Sequence, residues 1–185
     1  MQNRTPRIPQ QPAPNHRAEF DAGLTAELAA VVTAARRRAL RDGDRQIDTA
    51  HLLHSLIESD PEVRTAFDGG PQLAKVLGYL VQRSIGYGLR WQGTVEDSGA
   101  LPVVEGAGAL PVADAGAEGW SPSAASAMVG AYRRARSLGR ERAGGVDLLV
   151  ALTADRRCRA VEVLERAGVD AALVEDRIVE ASSQG

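Results

Sequence analysis

The chain has 185 residues, with 22 Lys and Arg against 24 Asp and Glu and a formal charge of −2. That length suits one ordinary domain or two small ones, and near-neutrality supplies no electrostatic drive toward nucleic acid or an anionic membrane. Hydrophobic residues at 44% exclude global disorder, while aromatics at only 4%, with Ala and Leu abundant, favour helices over sheets. The single cysteine, Cys158, excludes an intramolecular disulfide and a multi-cysteine metal site, and reads as a small helical hydrophobe. No run approaches the ~20 apolar residues that cross a bilayer. The N-terminal stretch contains Arg and Pro without an apolar signal core, so residues 1–19 read as a disordered tail of a cytoplasmic protein.

In chain order, a first helix is expected from about Thr25 to Asp42, with Leu28, Val31, Val32, Ala35 and Ala39 on one face. Thr25 caps its start and Gly43 stands where it stops. A second helix begins near Thr49 and carries Leu52, Leu53, Leu56 and Ile57. Asp60-Pro61 opens a short third helix that ends near Asp68, and a fourth spans roughly Pro71–Ser84, with Leu73, Val76, Leu77, Leu80 and Val81 as its buried stripe. Residues 86–119 differ. They are rich in Gly, Ala, Val and Asp, and contain GALPV twice, at Gly99–Val103 and Gly108–Val112. Pro102 and Pro111 oppose a helix, so the stretch reads as a linker with short extended pieces near Leu101–Val104 and Leu110–Val112.

Beyond the linker the pattern starts again. Ser121-Pro122 is a cap followed by Pro at the first helical position. Ala124, Ala127, Met128, Ala131 and Ala135 sit 96 residues after the apolar face of the first helix. Gly139 matches Gly43, and Leu148, Leu149 and Leu152 match Leu52, Leu53 and Leu56. Val174, Ile178 and Val179 match Val76, Leu80 and Val81 at an offset of 98. A fixed offset across several helices predicts two copies of a four-helix unit, at 20–85 and 120–185, each too small to be comfortable alone and so sharing a core.

The segments Leu24–Leu28 through Asp48–Ile57, and Trp120–Pro122 through Leu138-Gly139 to Gly144–Leu149, resemble the Clp N-terminal repeat. The resemblance implies an all-α fold of two tandem repeats related by a pseudo-two-fold and joined by a long Gly/Ala/Pro linker. In Hsp100 unfoldases such as ClpC and ClpA, that double repeat binds substrates and adaptors ahead of an AAA+ motor. A Walker A motif needs Gly-Lys followed by Ser or Thr, and the only lysine, Lys75, lies between Ala74 and Val76. The resemblance therefore implies a standalone recognition domain without a motor, cofactor or ATP. It would be an adaptor or decoy whose partners are a Clp ATPase, adaptor or client proteins, or cyclic peptides.

In ClpC-like members, a Glu in each repeat and the Thr opening its first helix bind phosphoarginine. Here the hydroxyls stand as Thr25 and Ser121, but the carboxylate positions hold Ala50 and Val146, so the sites read as degenerate. Thr25 and Ser121 serve equally well as plain helix caps. Phe20 and Trp120 are further ligand-binding candidates, as an aromatic rim where the two first helices begin; Trp120 as a plug of the repeat interface is the alternative. His51 and His54 lack a third ligand, so no metal site is expected, and three histidines with one cysteine yield no catalytic set. Arg36–Arg38 and Arg133, Arg134 and Arg136 offer the competing function, a helical nucleic-acid-associated regulator. The balanced charge and absence of interleaved aromatics favour solvated, carboxylate-paired helix faces instead.

Overall fold

In the computed structural model, residues 20–85, 94–97 and 119–183 are described. They form α1 (Ala26–Asp42), α2 (Thr49–Ser59), α3 (Pro61–Thr65), α4 (Gly69–Ser84), α5 (Pro122–Ser137), α6 (Gly145–Ala154), α7 (Arg159–Arg166) and α8 (Ala171–Ser183). The expected tail and the expected extended pieces near Leu101–Val104 and Leu110–Val112 lie outside these residues.

The long opening helices α1 and α5 are delimited by the same chemistry. Thr25 Oγ1 accepts from the Leu28 amide at 3.2 Å, and Ser121 Oγ from the Ala124 amide at 3.1 Å. Each helix runs into a left-handed glycine, Gly43 at φ 75° and Gly139 at φ 71°. The next amide then reaches back, Asp44 to the Ala39 carbonyl and Arg140 to the Ala135 carbonyl, both at 2.9 Å. The expected apolar faces, Leu28–Ala39 and Ala124–Ala135, are buried.

Helices α2 and α6 lie at the centre. Every residue of α2 from Thr49 to Ile57 is buried, and α6 buries Leu148, Leu149 and Leu152. Each packs on the helices of its own half and on three of the other: α2 on α5, α6 and α7, α6 on α1, α2 and α3. The halves therefore share one core, in which each buried leucine contributes ~1.5–3 kcal/mol.

Two isolated parallel bridges tie the halves together, Leu24 to Ala143 and Ile47 to Trp120. Adding 96 to Leu24 gives Trp120, and adding 96 to Ile47 gives Ala143. The bonds repeat in the same way. Thr25 N donates to Ala143 O at 2.9 Å and Ser121 N to Ile47 O at 2.8 Å; Ala143 N donates to Gly23 O at 2.9 Å and Ile47 N to Gly119 O at 2.8 Å. Contact of i with j and of j's counterpart with i's counterpart is what a two-fold produces.

Three expectations need correction. Helix α3 ends at Thr65, before Asp68, because Ala66 and Phe67 bond three residues back in a tighter turn. Helix α4 begins two residues before Pro71, which a first turn tolerates because its amides need no intrahelical acceptor. Of the expected stripe, Val76 and Leu80 are buried, but Val81 is 49% exposed; its counterpart Val179 is 53% exposed. These lie at the edge of a stripe that one buried face does not cover.

Candidate functional site

The two helix starts that carry Thr25 and Ser121 each abut the other half of the molecule, giving two related junctions. At the Ser121 junction, the first residues of α2 and α7 and the cap of α5 converge. Thr49 and Arg159 are first-turn residues, so their amides have no intrahelical acceptor. Both point at one carboxylate, that of Glu96, which comes from the segment Thr94–Asp97. Glu96 Oε2 accepts from Thr49 N at 2.9 Å and Ser121 Oγ at 2.8 Å. Its Oε1 accepts from Arg159 N at 2.7 Å and from the Thr49 hydroxyl. Thr49 Oγ1 in turn accepts from Ala160 N at 2.9 Å. Glu96 is buried, so its charge rests on these four donors and on two helix N-termini.

A second layer holds the junction. The Arg159 guanidinium donates to Asp48 Oδ2 at 2.7 Å and to both the carbonyl and hydroxyl of Thr94, at 2.9 and 2.7 Å. Asp48 Oδ1 caps α2 by accepting from His51 N at 2.9 Å, and Arg83 also donates to its carboxylate. Burial pushes the Asp48 carboxyl up, but the bonds from His51 and the charge of Arg83 more than reverse this, leaving it well below the usual carboxylate range. A cavity of about 380 Å³ adjoins Glu96, lined also by Asp44, Gln46, Val95 and Arg159.

The Thr25 junction is built differently. The counterpart of Thr49 is Gly145, that of Arg159 is Pro61, and that of Cys158 is Asp60. The hydroxyl is gone, and Pro61 has no amide to give. The carboxylate there is Asp60, which caps its own helix by accepting from Glu62 N at 2.9 Å and Val63 N at 3.2 Å. Its other oxygen lies against Gly145, where a Cβ would fall 2.0 Å away. Asp147, the counterpart of His51, accepts from Gly144 N at 2.8 Å and from Arg134 and Arg140. Burial pushes the Asp147 carboxyl up, but the bonds from Arg140, Gly144 and Arg134 more than reverse this and hold it below the usual carboxylate range.

The sequence candidates are distributed as follows. Ser121 joins the Glu96 cluster; Thr25 acts as a cap. Ala50 is fully buried and adds nothing to the surface, while Val146 is half-buried beside Arg177 and Ile178 in a small cleft. Phe20 and Trp120 do not form an exposed rim. Both are buried, edge to face at 5.9 Å, and Tyr132 donates to the Phe20 carbonyl at 2.8 Å. The aromatic set fastens the entry of α1 onto α5.

Asp42, Asp44 and His51 each bring a ligand atom within 4.8 Å of the others. His51 Nδ1 accepts from Asp48 N at 3.1 Å, and Nε2 faces Asp44 at 3.2 Å. Arg83 lies 3.2 Å from the same Asp44 oxygen. This is a hydrogen-bonded cap beside a guanidinium, a poor host for a cation. His54 faces other groups, Arg38 at 3.3 Å and Glu58 at 3.1 Å, so the two histidines do not converge. Of the arginine clusters, Arg38 and Arg134 are engaged internally, with Glu58 and Asp147. Cys158 is buried with its thiol on the Leu152 carbonyl, and burial pushes it up to about 11. It stays an unreactive thiol.

Glu96, Thr49 and Arg159 were not singled out by sequence patterns. The signal that could have found the last two is a break in the repeat, since they stand where the other copy has Gly145 and Pro61. Glu96 sits in a stretch without periodicity.

Among solved structures, the chain is similar to the N-terminal domain of the caseinolytic protease-associated chaperone ClpD from Arabidopsis thaliana. The match has 20% identity and a TM-score of 0.59, over 89% of this chain and 96% of that one. A structure from a malarial protein secretion system matches at 12% identity and a TM-score of 0.58, over 86% and 94%. No family model matches the chain, and no curated protein does. At these identities the likeness shows the fold: the chain has the fold of a Clp N-terminal domain.

Proposed function

We propose that this chain is a non-enzymatic protein- and peptide-binding module acting as adaptor or decoy in Clp proteolysis. The observation that carries the reading is the likeness of nearly the whole chain to the N-terminal domain of a protease-associated chaperone. Residues 20–85 and 120–185 form its two halves and 86–119 connects them. Among the described residues no helix is long and apolar enough to cross a membrane, which is in keeping with work in the cytoplasm beside a Clp ATPase.

The junctions refine the ligand class. With Ala50 and Val146 at the carboxylate positions, a guanidinium finds no partner there. One charge-assisted bond contributes ~1.5–3 kcal/mol, so phosphoarginine peptides should bind roughly 10- to 150-fold more weakly than to a ClpC N-terminal domain. Glu96 beside Ser121 adds repulsion toward a phosphoryl group. Adaptor surfaces, client segments and cyclic peptides are the better candidates.

The test is a reconstituted Clp protease from the same host degrading a tagged client, with this chain added in steps. An adaptor raises the degradation rate and a decoy lowers it, each saturably. A rate unchanged at a tenfold excess over the unfoldase overturns the reading.

A further inference from the structure

We propose that Thr94–Glu96 is a tethered pseudo-ligand, and that the hole it fills is a recognition site for a glutamate-bearing peptide of a partner protein. The inference rests on the peptide-binding reading and names a ligand for the Ser121 junction.

The hole belongs to the two repeats and its occupant does not. Four donors come from α2, α5 and α7, all outside the segment that supplies the carboxylate. They divide two to each oxygen, which matches the four lone-pair positions of a carboxylate. First-turn amides of two helices favour an anion whatever chain carries it.

The occupant is held as a peptide ligand is held. Arg159 reads the main-chain carbonyl of Thr94 and its hydroxyl, two residues before the glutamate. The intervening Val95 is 65% exposed, so that position is left unread. The resulting pattern is Thr-any-Glu. The cavity of about 380 Å³ runs along this segment, leaving space beside the seated carboxylate. The other junction has no such hole, because Gly145 and Pro61 remove two donors and Asp60 supplies a carboxylate from its own helix cap.

The experiment uses the full chain as wild type, Glu96→Ala and Glu96→Gln, with amide-blocked peptides of residues 92–100. One peptide carries Glu at its fifth position as in the chain, one Gln in its place, and one phosphoserine. Binding is titrated while the Thr49 and Arg159 amide resonances are followed by NMR. Glu96→Ala should bind the Glu peptide at least tenfold more tightly than wild type does, and at least tenfold more tightly than it binds the Gln peptide. The two amides should return toward their wild-type positions as the site fills. Replacing Val95 in the peptide should leave affinity within twofold, whereas Thr94→Ala should weaken it several-fold.

Equal affinity for the Glu and Gln peptides, or binding that leaves both amides unmoved, overturns the proposal. Tighter binding of phosphoserine than of Glu overturns the carboxylate assignment. If neither Glu96 variant keeps the helical spectrum of the wild type, Glu96 is an obligatory part of the core and the proposal fails. A chain that binds the peptide but leaves Clp degradation unchanged sinks the functional reading alone. One that alters degradation but ignores the peptide sinks this inference alone.

Discussion

The Ser121 and Thr25 junctions occupy related positions and solve one electrostatic problem in opposite ways. Each brings a helix start from one repeat against helix starts of the other, where unpaired amides collect. At the Thr25 junction the anion is local: Asp60 caps α3, Pro61 needs no acceptor, and Gly145 makes room for the carboxylate. At the Ser121 junction it is imported from the connecting segment as Glu96, and Thr49 and Arg159 supply donors their counterparts lack. The charges at the neighbouring caps are exchanged as well. His51 faces Asp44 in the first repeat, where Asp147 faces Arg140 in the second. The backbone arrangement is the same at both junctions and the polar chemistry differs, so that the connecting segment supplies the buried anion at the Ser121 junction and a helix cap supplies it at the Thr25 junction.

That contrast is broken most severely by Glu96→Ala. Four donors lose their acceptor at once, and a cost of about 3 kcal/mol in unfolding free energy is expected, measured by urea denaturation. The fold should survive, since domains carry ~5–15 kcal/mol. A loss under ~0.5 kcal/mol would mean that the carboxylate is not held as described.

Gly145→Thr forces the Thr25 junction toward the other's chemistry. Its Cβ would fall 2.0 Å from Asp60 Oδ2, a severe clash, so overpacking should destabilise by about 1–3 kcal/mol. Combining it with Asp60→Ala should recover much of that, and failure to recover would place the clash elsewhere. Ser121→Ala and Thr25→Ala remove matching caps, each worth ~0.5–2 kcal/mol. Ser121→Ala should cost more, because its hydroxyl also serves Glu96; equal costs in the same denaturation series would erase the asymmetry.

The effect that is smallest at neutral pH separates the repeats by their acid response. His54 is buried beside Arg38, with Glu58 and Asp42 opposing, and burial followed by the Arg38 charge lowers it to about 4 from its usual 6.5. The unfolded chain therefore binds more protons between those values. The contribution is full above pH 6.5 and is lost as pH falls toward 4. Val150 stands at this position in the second repeat. His54→Val should flatten that part of the stability curve, and an unchanged slope would show that another group titrates there.

The helices and their ends were readable because each rests on local rules repeated twice. Thr25 and Ser121 are caps, Gly43 and Gly139 take the left-handed turn, and Leu52 and Leu148 fall on the same buried register. The site was readable only at Ser121. Glu96 is an acid in a stretch without period, and its burial follows from donors 25 to 63 residues away. Spacing reports neither face nor depth at a helix entry, so for Trp120 it leaves a surface rim with Phe20 and a plug of the repeat interface both open. Val81 was assigned to the interior because a stripe read from periodicity does not show where its neighbour stops.

The most direct measurement is amide hydrogen exchange at Thr49 and Arg159. First-turn amides ordinarily exchange freely for want of an acceptor. Here both should be protected in the wild type and should exchange at least a hundredfold faster in Glu96→Ala, with the Gly145 amide unchanged. Free exchange at Thr49 and Arg159 in the wild type, or protection that survives the loss of Glu96, would contradict the account.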